Sequence, residues 1–91
     1  MTAADPGLQL RDGAHDAHWD GADLWLAAVA LGGDLDLGDV LGILAGRQAP
    51  TRPQYVVLSA ALNDHFADLG RDHPVRTWDG SPQPTGRPPP I

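Results

Sequence analysis

Asp12, His15, Asp16, His18 and Asp20 form the densest group of side chains in the sequence that could do chemistry. His15 and His18 stand three apart, a spacing that on a helix turns both rings to one face. Imidazole beside carboxylate is a donor set for zinc or another transition metal. The group has no fixed ligand spacing, however, and its segment reads as loop, so a solvated acidic lead-in is expected and no metal. Asp34, Asp36, Gly38 and Asp39 resemble the start of a calcium loop. They fail it in three places: Gly38 where a side-chain ligand belongs, Asp39 where glycine belongs, and Ala45 where the terminal Glu belongs. Ser59 and His65, six apart on one helix, point ~120° away from each other and make no nucleophile–base pair. His65, Asp68 and Asp72 would share a face only if a helix ran past Gly70. Cysteine, Glu and Lys are all absent, which removes thiolate chemistry and two common kinds of acid–base and Schiff-base residue. No glycine loop suited to phosphate is present. Catalysis is not expected, nor is any cofactor.

The elements around these residues announce themselves by their ends. Asp20 followed by Asp23, Asp36 followed by Asp39, and Thr51 followed by Gln54 each place a capping side chain and its reciprocal partner at helix starts. Trp19 with Leu24, and Leu35 with Val40, are spaced as hydrophobic staples, and Pro53 sits in a first turn where its missing N–H does no harm. Gly32, Gly46 and Gly70 supply left-handed stops. The predicted helices are 21–31, 37–45 and 52–69. In the third, Tyr55, Leu58, Leu62, Phe66 and Leu69 fall within ~40° of one another and mark the core face. His65 lies at the edge of that stripe as a partly buried, hydrogen-bonded histidine. Burial of the stripe is worth on the order of 1.5–3 kcal/mol per large side chain.

The chain of 91 residues has room for one small domain. Residues 1–18 read as a flexible acidic N-terminal segment, 19–78 as the helical domain, and 79–91, with five of the nine prolines, as a Pro-rich disordered tail. The longest apolar run, residues 24–31, is far short of the ~20 residues that span a bilayer. With no signal-peptide pattern in residues 1–13, a cytoplasmic location away from membranes is expected. Residues 75–78 alternate like a short strand, and residues 34–37 could pair with them. The fold class is therefore mainly α: a small three-helix domain, winged-helix-like in its element order with a short strand pair.

Residues 24–75 resemble bacterial winged helix-turn-helix type domains. The likeness rests on the apolar run 26–31 closed by Gly32 and Gly33, on residues 37–44, and on Pro50 and Thr51 opening a long helix that closes at Leu69 and Gly70. It implies recognition of DNA or protein without catalysis. Two features depart from that pattern: the strand pair would be very short, and proline-rich sequence stands where a second wing strand belongs.

Charge separates the two kinds of partner. The net charge is −6, with 12 Asp against 6 Arg, and residues 1–46 hold eight of the Asp against Arg11 alone. Candidate nucleic-acid contacts are Arg47, Arg52, Gln54, Arg71 and Arg76, at and around the third helix, with Asn63 also suited to base edges. DNA affinity comes largely from neutralised phosphates, and Asp64 and Asp68 on the same helix oppose that. Val56, Val57, Ala60, Asp64 and Ala67 instead give its outer face the character of a protein-contact surface, an apolar patch flanked by charge. The expected function is a non-enzymatic acidic protein-interaction module (adaptor, regulator or assembly component), with a protein partner or self-association. The alternatives are a winged-helix DNA-binding regulator, disfavoured by charge, and an acidic antitoxin or DNA mimic whose carboxylates meet a basic partner.

Overall fold

The computed structural model describes residues 5–71, 75 and 78. Among the described residues the chain forms four helices rather than three: α1 (Pro6–Ala17), α2 (Gly21–Ala30), α3 (Leu37–Leu44) and α4 (Arg52–Asp68). The last three begin at the expected residues and end one short of the expected limits. Their starts are the anticipated capping boxes. In α2, Asp23 N–H donates to Asp20 Oδ1 at 2.9 Å and Asp20 N–H to Asp23 Oδ2 at 3.2 Å. At α4, Thr51 N–H donates to Gln54 Oε1 at 2.9 Å and Gln54 N–H to Thr51 Oγ1 at 3.3 Å. The α3 box is looser, with Asp36 N–H donating to Asp39 Oδ2 at 3.4 Å. Gly32, Gly46 and Gly70 all take positive φ, between 77° and 89°, as the stops require. After α2, for example, Gly32 N–H reaches Val29 O and Gly33 N–H reaches Ala28 O, both at 2.9 Å.

The lead-in is where the sequence reading needs correction. Residues 6–17 are helical and not a flexible loop. Asp5 caps α1 by accepting from Leu8 N–H at 3.1 Å, and Pro6 occupies its first turn. The buried face is Leu10, Gly13, Ala14 and Ala17, spaced i, i+3, i+4, i+7. His18 ends the helix in the left-handed region (φ 58°), where its N–H donates to His15 O and Trp19 N–H to Ala14 O. A histidine stop and a seam of small residues disguise a regular helix. Arg11 secures it by donating from Nε to Leu44 O at 3.0 Å, placing a cation on the carbonyl end of α3.

The core runs along α4, which lies between α1 and α2, while α3 packs on α1 and α2. Tyr55, Leu58, Leu62 and Phe66 are buried as the stripe requires, joined by Leu10, Leu24, Val40 and Ile43. Leu69 departs from the stripe: it is 62 % exposed, because the helix has ended and the chain turns at Gly70. Packing on two sides also buries Ser59, Ala61 and Asn63, three positions outside the predicted stripe. Asn63 is used structurally. Its Nδ2 donates to Val75 O at 3.0 Å and its Oδ1 accepts from Val75 N–H at 2.9 Å, so one side chain imitates a strand neighbour.

No strand occurs among the described residues. Residues 34–36 form no regular element, and Leu37 already belongs to α3 because Asp36 caps it. Val75 and Trp78 lie in a bend and a turn; positions 76 and 77 of the expected strand, and the tail 79–91, lie outside the described residues. Among the described residues, no helix is long and apolar enough to cross a membrane.

Candidate functional site

On α4, positions 56, 60, 64 and 67 fall on one outward strip, since each step of three, four or seven residues returns to nearly the same face. Val56 is 56 % exposed, and Ala60, Asp64 and Ala67 are also exposed. These four predicted contact residues therefore share one surface. Val57 does not join them fully. It is half-buried and turned toward Gly33, where an added Cβ would stand 3.1 Å from its Cγ2 and 2.8 Å from the Ala28 carbonyl oxygen.

Beside this strip, the packing of α2 on α4 leaves two depressions. The first, of about 210 Å³, has Ala27 and Ala61 between the helices, Trp19 and Leu31 as walls, and Asp64 and Asp68 among its lining residues. The second, of about 380 Å³, lies between residues 31–35 and the start of α4, lined by Leu35, Pro53 and Val57 with Asp34 and Gln54. Leu31 lines both and is 50 % exposed, so it stands between the two seats. The walls are held in place. Trp19 stacks on His65 with ring centroids 4.4 Å apart, and Trp25 Nε1 donates to Leu35 O at 2.9 Å to fix the loop after α2.

The carboxylates fall into two groups. Asp5, Asp20, Asp23, Asp36 and Asp39 serve helix starts, and Asp16 pairs with Arg71 at 3.3 Å. Asp12, Asp34, Asp64 and Asp68 serve neither purpose and have no ion pair among the described residues, and of these only Asp64 and Asp68 stand one turn apart on one helix, beside the first depression. Of the candidate nucleic-acid contacts, Gln54 is engaged in its capping box and Arg71 in its ion pair, with its guanidinium 4.6 Å above the Phe66 ring. Asn63 is buried against Val75. Arg76 lies outside the described residues, which leaves Arg47 and Arg52 exposed.

Ser59 and Tyr55 have structural uses. Ser59 Oγ donates to Val56 O at 3.2 Å. No cluster of three His, Cys, Asp or Glu residues able to hold a metal ion occurs among the described residues. The buried Tyr55 hydroxyl accepts from Gln9 Nε2 at 3.0 Å, and desolvation pushes its pKa up to about 12.

Periodicity in α4 points to one wall of the groove and misses the other, formed by Trp19, Ala30 and Leu31. A signal for it exists. Residues 21–31 carry one charge, Asp23, and a helix apolar on nearly every side cannot bury them all in so small a domain. Leu26 (59 % exposed) and Val29 (42 %) show that α2 does not. Compared with family models, curated proteins and solved structures, the chain finds no match.

Proposed function

We propose that the chain is a non-enzymatic protein-interaction module (an adaptor, regulator or assembly component in the cytoplasm) that engages its partner through the outer strip of α4 and the groove beside it. The observation that carries this reading is the apolar exposure of Val56 on the strip together with that of Leu31 at the edge of the neighbouring depression, whose aromatic wall Trp19 is held against His65. Such apolar surface flanked by charge is the usual composition of a contact site. Val56→Asp and Ala60→Asp place charge on the strip without entering the core. Both variants should lose self-association in sedimentation, or capture of the partner, while keeping the helical circular dichroism. Unchanged association in both would overturn the reading.

A DNA-binding regulator of winged-helix type remains the second reading, favoured by the exposure of Arg47 and Arg52 on the approach to α4. Its mark would be binding to random duplex that weakens with salt and is lost in Arg52→Ala. Gln54, Asn63 and Arg71 already have partners within the fold, which supports protein contact over this alternative.

A further inference from the structure

We infer that the groove between α2 and α4 receives a basic amphipathic segment of a partner protein, an apolar side chain seated against Ala27, Ala61 and Leu31 with an Arg or Lys beside it on Asp64 and Asp68. The inference rests on the protein-interaction reading above and adds the chemistry of the partner. Its first support is the cost of the two carboxylates to the free protein. Asp64 and Asp68 are four apart on one helix, where like charges repel. Asp68 is also the last residue of α4, where a negative charge opposes the helix dipole. Folding gains nothing visible from either: they cap no helix and pair with no cation among the described residues. A bound cation removes both penalties.

The second support is what surrounds them. The depression places these carboxylates next to apolar floor and the Trp19 ring, and an aromatic wall beside carboxylates suits a guanidinium or ammonium on an apolar stem. Asp34 gives the second seat the same sign, and neither seat is lined by Arg. Charge also sets aside the other occupants. A second copy would bring another net −6, and a nucleic acid would set phosphate against Asp64 and Asp68.

The test titrates the isotope-labelled full chain with a synthetic amphipathic helical peptide of leucine and lysine, beside its leucine–glutamate counterpart. The lysine peptide should shift the amide resonances of Trp19, Leu31, Asp64 and Asp68 saturably, with affinity falling as salt rises. Asp64→Asn with Asp68→Asn should weaken binding about tenfold, the loss of roughly 1.4 kcal/mol. Leu31→Asp should weaken it further, and Asp12→Asn on α1 should leave it within about twofold. Equal weakening by Asp12→Asn would reduce the effect to general attraction and overturn the inference. Equal binding of the glutamate peptide, or no saturable shift with either peptide, would overturn the basic chemistry. Association by Val56→Asp still judges the interaction reading separately in each case.

Discussion

The carboxylates of α1–α3 and those of α4 have the same chemistry and opposite relations to the fold. In the first three helices most of them sit at helix starts, where free N–H groups and the positive end of the dipole hold them. In α4 they sit in the second half and at the last residue, lining a groove together with His65, with no ion pair among the described residues. The acidic first half therefore looks more like a docking surface in a charge count than in the fold, since most of its aspartates are occupied in starting helices. That weakens the acidic antitoxin or DNA-mimic alternative and moves attention to two residues that the count makes unremarkable.

Substitution can break or sharpen this contrast. The largest effect should come from the polar side chain that α4 turns inward. Asn63→Ala leaves both polar groups of the Val75 backbone without partners and should lower stability by about 2–6 kcal/mol in urea unfolding, at ~1–3 kcal/mol per unsatisfied group. Next is alkaline pH. The folded protein holds the Tyr55 proton with a pKa of about 12 against 10.0 for the free side chain. Its stabilising contribution is whole below pH 10 and declines as pH rises toward 12, by up to about 1.4 kcal/mol per pH unit. Melting temperature should fall across that window. The chain's single tyrosine lets absorbance titration assign the effect, and Tyr55→Phe should flatten the slope.

The two carboxylate groups then give changes of opposite sign. Asp20→Ala removes a cap and should cost about 1 kcal/mol. Asp68→Asn should raise stability by about 0.3–1 kcal/mol at low salt, and less as salt screens the dipole. A destabilised Asp68→Asn protein would show that the two groups are alike and that α4 contains a stabilising contact for this carboxylate.

Much of the fold was legible because it depends on local chemistry. Asp20, Asp36, Thr51 and the three stop glycines fix α2, α3 and α4 to within a residue, for caps act over one turn. α1 was not legible because its stop is His18, held left-handed against steric preference, and its seam is Leu10 with small residues. The strip at Val56, Ala60, Asp64 and Ala67 could be read from helical spacing alone. Leu31 and Trp19 could not, because which flank of α2 meets α4 is settled by tertiary packing. The same cause takes Asn63, expected to suit base edges, into the interior, because α4 has neighbours on two sides and buries more than a single stripe.

The Asn63 clamp also sets the smallest piece of this chain that can be handled as a domain. A fragment cut after Arg71 would retain all four helices yet leave a buried amide with neither of its backbone partners, and would strip Val75 from against Leu62 and Gly13. Trp78, edge-on to Tyr55 at 5.6 Å, adds a second contact beyond the clamp. Any trimmed form meant to keep native behaviour should run at least through residue 78, and tags or fusions belong beyond it.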